Sequence, residues 1–242
     1  MRDIIITPLD EAASLVIAAD NSGGIGMKPD DIISVPYEVL GYYSTRVALM
    51  ECMAVGGNPM TVVLQNFCGQ EAWNAVISGA HQALNELDIQ GVTITGSTES
   101  NFELLQSALG AIVIGKKANQ VNLKTELDYS NELGVALIGL PLIGDEVIQY
   151  KSQVAPLSLF RFLCEHADVE AVIPVGSRGV LFELNQVFPC ALLNRRQIHT
   201  EVVIEKSSGP STCFIAVFKK DAIDQIKAMA GSYFHSIRIK SE

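Results

Sequence analysis

Val47-Ala48-Leu49-Met50-Glu51-Cys52-Met53-Ala54-Val55-Gly56-Gly57-Asn58-Pro59 is the stretch on which the reading of the fold turns. Pro36 opens a helical pattern that runs to Val55, where Gly56-Gly57 stops it and Pro59 lies just beyond. Proline at the start lacks an N–H that the first turn would leave unbonded anyway, and glycine tolerates the cap that ends a helix. Glu51 sits near the end of this helix, with apolar residues on both sides in sequence. A carboxylate buried among them needs a cation or strong hydrogen-bond donors, because its desolvation is otherwise uncompensated. The alternative is a place on a solvent-facing stripe of the helix. Arg46 is five residues away, off the three- and four-residue spacings at which helical side chains meet.

Upstream of the helix, Ile4–Thr7 and Ser14–Ala19 read as short strands separated by the turn-forming Pro8-Leu9-Asp10-Glu11. The second strand runs into Asp20-Asn21-Ser22-Gly23-Gly24-Ile25-Gly26, expected as a flexible loop. A carboxylate at a strand end beside glycine-rich backbone suits a metal ion and the phosphates it bridges. The same residue types also make ordinary turns. The run is neither a Walker loop, since no Gly-Lys-Ser/Thr follows, nor a dinucleotide-binding fingerprint.

Downstream, Thr61–Leu64 reads as a strand leading into Asn66-Phe67-Cys68-Gly69, a turn or a ligand contact. Glu71–Leu87 reads as a helix, Val92–Thr95 as a strand, and Gly96–Asn101 as a polar loop. In that loop Ser97 and Thr98 are candidate donors and Glu99 a candidate metal ligand, while Asn101 suits a helix cap. Gly110–Gly115 is a further strand.

The polar stretch Lys116–Glu132 lacks periodicity and is expected to hold a domain boundary, giving domains of residues 1–120 and 121–242. The second half offers the apolar run Val135–Ile143, helices at Leu157–His166, Gly179–Val187 and Asp221–Ala230, and strands at Val169–Val175, Val202–Glu205 and Cys213–Phe218. Strands and helices alternate without a strict βαβ rhythm, which favours an α+β fold.

Composition narrows the function classes. With 17 basic against 27 acidic residues the net charge is −10, and Arg195-Arg196 and Lys219-Lys220 are isolated pairs. A nucleic-acid partner, which needs concentrated basic charge, is not expected. A phosphate-bearing ligand would be met through divalent metal on carboxylates rather than through a basic pocket. No apolar run reaches the ~18–20 residues of a membrane span, and Met1-Arg2-Asp3 makes a poor signal peptide, so no membrane and a cytoplasmic setting are expected. Five scattered cysteines fit buried free thiols, not a zinc or redox pair. His81, His166, His199 and His235 lack metal-ligand spacing, and Trp73 at a helix start is read as packing.

Taken in order and spacing, these segments resemble the AIR-synthase-like superfamily, which includes selenophosphate synthetase, thiamine-monophosphate kinase and the hydrogenase-maturation carbamoyl dehydratase. Ala54-Val55-Gly56-Gly57-Asn58-Pro59 is similar to its Ala-Met-Gly-Gly-x-Pro-like stop. Glu51 falls where the family has a metal-binding aspartate, and Asp20 on its metal-binding acid. Asp10-Glu11 resembles the doubled acid of the kinase branch, and Gly139–Val147 resembles the opening of the C-terminal α/β domain.

The resemblance implies a homodimer whose N-terminal sheets pair into a barrel, binding ATP and Mg²⁺. Asp20, Glu51, Glu99 and Asp10 would then be metal ligands. Asn21, Gly23, Gly24, Gly26, Asn66, Ser97 and Thr98 would be nucleotide contacts. No cysteine precedes Cys52 and the chain ends Ile239-Lys240-Ser241-Glu242, which departs from the selenophosphate synthetase and hydrogenase-maturation branches. In the kinase branch's Asp-x-Ser-Asp-Gly-Leu-like segment this chain has Val175-Gly176-Ser177-Arg178-Gly179-Val180, with Arg178 in place of the acid and available to offset transition-state charge.

Within the superfamily, compact length and the runs Asp20–Gly23, Gln65–Gly69 and Thr95–Asn101 most resemble the α-ribazole kinases of cobalamin salvage. That implies ATP-dependent phosphorylation of a primary hydroxyl, the 5′-hydroxyl of α-ribazole. The competing expectations are another ATP-dependent reaction of the superfamily, such as thiamine-phosphate phosphorylation, and a nucleotide-binding protein without catalysis.

Overall fold

The structure is a computed structural model that describes residues 3–120 and 124–240. They form two compact units that divide between positions 122 and 123. Residues 121–123, part of the expected boundary stretch, lie outside the described residues.

In the first unit, strands β1 (Ile4–Pro8), β2 (Ala13–Gly23), β3 (Ile25–Gly26) and β4 (Ile33–Ser34) precede helix α1 (Tyr37–Ala54). Strand β5 (Asn58–Asn66), helix α2 (Trp73–Glu86) and strands β6 (Thr93–Thr98) and β7 (Ala108–Ala118) follow. The main sheet has the order β1-β2-β7-β5-β6, antiparallel except for the β5–β6 pair. Residues alternate between its faces as the pleat requires. Val16, Ala18, Val62, Leu64, Ala111 and Val113 are fully buried. Ile17, Val63, Ile112 and Ile114, on the opposite face, are only half-buried.

Helix α1 packs on the buried face, and α2 packs on α1. Gly41 and Gly79 make that close crossing possible, since a Cβ on Gly41 would overlap the Val76 carbonyl and one on Gly79 the Glu38 carbonyl. Pro36 and Gly56-Gly57 bracket α1 as the punctuation predicts.

The expected loop at Asp20 is different. Strand β2 continues to Gly23, with Asp20, Asn21, Ser22 and Gly23 paired to Ala111, Gly110, Leu109 and Ala108 of β7. Polar turn formers are held in a strand here because β7 supplies eleven consecutive partners, so tertiary pairing overrides local propensity. Strand β6 likewise runs on to Thr98 through pairing with β5.

The second unit contains strand β8 (Leu133–Ile138), helices α3 (Glu146–Gln149) and α4 (Leu157–Glu165), strand β9 (Val169–Pro174) and helix α5 (Gly179–Val187). Strands β10 (Ile198–His199) and β11 (Phe214–Lys219), helix α6 (Ile223–Ala230) and strand β12 (Phe234–Ile239) complete it. The sheet order is β10-β12-β8-β11-β9, antiparallel throughout. Both faces are covered. Val180, Leu184 and Val187 of α5 join Leu137, Ile173 and Ile215 on one side, and Phe160 of α4 packs edge-on against Phe214 at 5.1 Å. That is why β8, β9 and β11 read as unbroken apolar runs.

The expected strand at Val202–Glu205 is absent. Val202 and Ile204 are buried in the core under α5, and the Ile204 carbonyl accepts the Leu181 N–H, so an apolar segment is fixed there without a ladder. Strand β12 was not expected. The fold is mixed α and β, and among the described residues neither sheet closes into a barrel. Among the described residues, no helix is long and apolar enough to cross a membrane.

Candidate functional site

Asp20 lies on the helix-covered face of the first unit's sheet, beside the buried Ala111 and two residues past the buried Ala18. Glu51 reaches the same region from the last turns of α1. Burial is the main reason the Asp20 carboxyl is pushed up to about 7 from its ordinary 3.8. A hydrogen bond from the Asn21 N–H opposes this, and the negative charges of Asp3 and Glu51 add to it. Two residues along, Ser22 Oγ and Ser44 Oγ are 2.7 Å apart, tying β2 to α1 beside the acids. Strand and helix therefore bring Asp20 and Glu51, far apart in the chain, close enough for the charge of Glu51 to oppose ionisation of Asp20.

Asp10 does not belong to this group. Its Oδ1 accepts the N–H groups of Ala12 and Ala13, both at 2.8 Å, closing the β1–β2 turn. Asp20 lies seven residues beyond Ala13 along an extended strand, roughly 20 Å away. A turn-forming aspartate at one end of a strand cannot share an ion with a carboxylate at the other end. Glu99 follows β6, and its Oε1 accepts the Asn101 N–H at 2.6 Å, so this carboxylate is already engaged in a local turn.

The expected nucleotide contacts divide between the two faces of the sheet. Asn21, Gly110, Gln65 and Ser97 form one cross-strand row on the face away from α1, whereas Asp20 points to the other. Asn66 is buried and has a structural role. It donates to the Gly69 carbonyl and to Thr98 Oγ1 and accepts the Cys68 N–H, so Asn66 and Thr98 brace the turn after β5. Gly24, at φ 68°, donates to the Ser107 carbonyl and accepts from Ile32 and Ile33. A Cβ on Gly26 would overlap Ser107 and Tyr37. Packing therefore requires glycine at 26, the left-handed φ favours it at 24, and of the three only Gly23 has open space around it.

Sequence reasoning passed over the neighbouring loop. Lys28 Nζ donates to the Phe67 carbonyl at 3.0 Å. Asp31 accepts from the Lys28 N–H and from both the N–H and Oγ of Ser107, and these donors hold its carboxyl below the usual range despite some desolvation. The signal was a lysine two residues past Gly26. Arg178, in the second unit, is exposed at the start of α5 with its guanidinium 4.6 Å from the centre of the Phe182 ring. Of the cysteines, Cys52, Cys68 and Cys213 are buried, with Cys52 pushed by burial up to about 12. Cys190 is exposed, contrary to the expectation of buried thiols throughout.

Among the described residues, no three histidine, cysteine or acidic side chains gather closely enough to form a metal site by themselves. The Asp20–Glu51 pair still suits Mg²⁺, which binds through one or two carboxylates and completes its shell with water and substrate phosphates. The raised Asp20 carboxyl is the observation that fits a cation here, because two positive charges would relieve both its desolvation and its acidic neighbours.

No family model matches the sequence, and no curated protein matches it. Solved structures do match. A chain of the HypE–HypF complex superposes with a TM-score of 0.65 at 14 % identity, covering 99 % of this chain and 88 % of that one. This chain has the AIR synthase-like fold. Thiamine-monophosphate kinase from Stenotrophomonas maltophilia gives 0.59 at 14 % identity over 99 % of this chain and 90 % of its own. T. maritima PurL complexed with ADP gives 0.66 at 13 % identity over 99 % of this chain but 42 % of that larger protein.

Proposed function

We propose that this chain is an ATP-dependent small-molecule enzyme, and most specifically a kinase that transfers a phosphoryl group to a primary hydroxyl. The observation that carries the proposal is the meeting of Asp20 and Glu51, from β2 and α1, in a place where burial and like charge disfavour ionised carboxylates. Two further facts support it. PurL of this fold has been seen with ADP and with ATP, and a thiamine-monophosphate kinase matches almost end to end.

Phosphoryl transfer asks little covalent chemistry of the protein, chiefly positioning and charge neutralisation. A bound Mg²⁺ would supply charge neutralisation at the phosphate oxygens. Asp20 and Glu51 would hold it, Lys28 would offer an ammonium to a phosphate, and the open backbone at Gly23 would allow close approach. The 5′-hydroxyl of α-ribazole is the acceptor suggested by the runs at 20–23, 65–69 and 95–101, and thiamine monophosphate is the rival acceptor.

The half-buried apolar face of the first unit's sheet supports a homodimer in which two such sheets meet. Ile17 pairs with Ile114, and Ile112 with both Ala19 and Val63, so the branched side chains form a continuous surface. Five free cysteines are consistent with work in the cytoplasm.

The test is ADP release with Mg-ATP across an acceptor panel. Turnover with α-ribazole supports the specific reading, and turnover with thiamine monophosphate instead replaces it. A second reading, nucleotide binding without catalysis, is favoured by one observation: Arg178 stands where the kinase branch has an acid, and it stacks on Phe182. Mg-ATP binding with no ADP formed from any acceptor would establish that reading.

A further inference from the structure

The second unit contains a cavity of about 540 Å³, within the range of roughly 300–1,000 Å³ typical of small-molecule sites. Its walls are residues 129–131 ahead of β8, the turn after α5 at 190–197, and the end of β12. The walls are fixed before any ligand arrives. The Tyr129 hydroxyl donates to the Ile239 carbonyl at 3.1 Å, and its ring meets Phe188 edge-on at 5.4 Å, so Tyr129 is anchored at two places.

Asn185 clamps the facing wall. Its Oδ1 accepts the Leu193 N–H at 2.7 Å, and its Nδ2 donates to the carbonyls of Leu193 and Leu181. Next to this clamp Leu192 has φ 45°, a left-handed conformation unfavourable for leucine, and its side chain is 80 % exposed. Strain of this kind persists only where surrounding contacts over-determine it.

The chemical character of the lining is one-sided. Among the described residues that line it none is acidic, in a chain with 27 acidic residues, and the one charged side chain is Lys240. The Gln197 Oε1 already accepts from the Asn194 N–H and Nδ2, so what Gln197 can offer a ligand is its amide hydrogens. Leu192, Leu193 and the Tyr129 ring supply apolar surface. We infer that this cavity is a binding site for a small organic anion with a flat apolar body, such as an aromatic carboxylate.

Cys190 provides the readout, because it lines the cavity and is the one exposed thiol of the five. The rate of Cys190 alkylation by iodoacetamide is to be followed by mass spectrometry on the full chain, with partly buried Cys164 as internal control. The probes are 2-naphthoate and its neutral isostere 2-naphthamide, each at millimolar concentration. The expected result is that 2-naphthoate slows Cys190 alkylation at least fivefold while 2-naphthamide has a smaller effect and Cys164 is unchanged. In Lys240→Gln, protection by the carboxylate should fall to that of the amide, and in Ala191→Trp it should disappear as the ring fills the space. Equal protection by both probes, protection by neither, or full carboxylate protection in Lys240→Gln would each overturn the inference.

Discussion

Asp20 has a measurable signature of its own. Its carboxyl holds a proton up to about pH 7 in the folded chain, against about 3.8 when unfolded. Between those values the folded state carries the proton that the unfolded state has released, so stability falls as pH rises through that window and stays lower above it. Asp20→Asn should therefore raise the ligand-free melting temperature at pH 8, by an amount on the order of 2 kcal/mol after discounting for solvent screening. The same variant should lose the thermal shift that Mg-ATP gives the parent protein, and so should Glu51→Ala. A melting curve for Asp20→Asn that matches the parent at both pH 5 and pH 8 would remove the electrostatic basis of the site. Asp10→Ala should leave the Mg-ATP shift intact and lower stability by about 1 kcal/mol, since it loses two turn hydrogen bonds and no ion. What was legible in the sequence is that Glu51 has apolar neighbours among which a charge is costly to bury, and that Asp20 stands at the end of an apolar strand. The place of Asp10 was not, because a turn acid and a ligand acid look alike until the strand between them is known to be straight.

At the scale of elements, the helix pair depends on two glycines that sequence reading did not single out. Gly79 lies against the Glu38 carbonyl, so Gly79→Val should force α1 and α2 apart and cost about 2–3 kcal/mol, read as a lower urea midpoint. A midpoint unchanged from the parent would show that the helices do not cross as closely as described. The helices themselves were readable, because proline and glycine punctuate them and their apolar spacing is regular. Strand lengths were less so. Strand β2 extends four residues into a stretch of turn formers because β7 pairs with it throughout, and β6 reaches Thr98 for the same reason. At 202–205 the apolar pattern of a strand belongs to a segment that fills the core without pairing.

For the whole molecule, the open face of the first sheet gives the sharpest test. Ile112→Glu should convert a dimer to a monomer in sedimentation while leaving the circular dichroism spectrum unchanged, because Ile112 is half-buried on a face no helix of its own unit covers. A parent chain that is already monomeric would rule out the paired-sheet arrangement. By itself the sequence determined helices α1, α2, α4, α5 and α6 and the apolar strands β9 and β11, because periodicity and punctuation are local. Only the tertiary structure decided which acids meet, that packing requires glycine at 26, and that Asn21 and Ser97 share the face away from Asp20. Side-chain direction in a strand follows register, and register is set by partners distant in the chain.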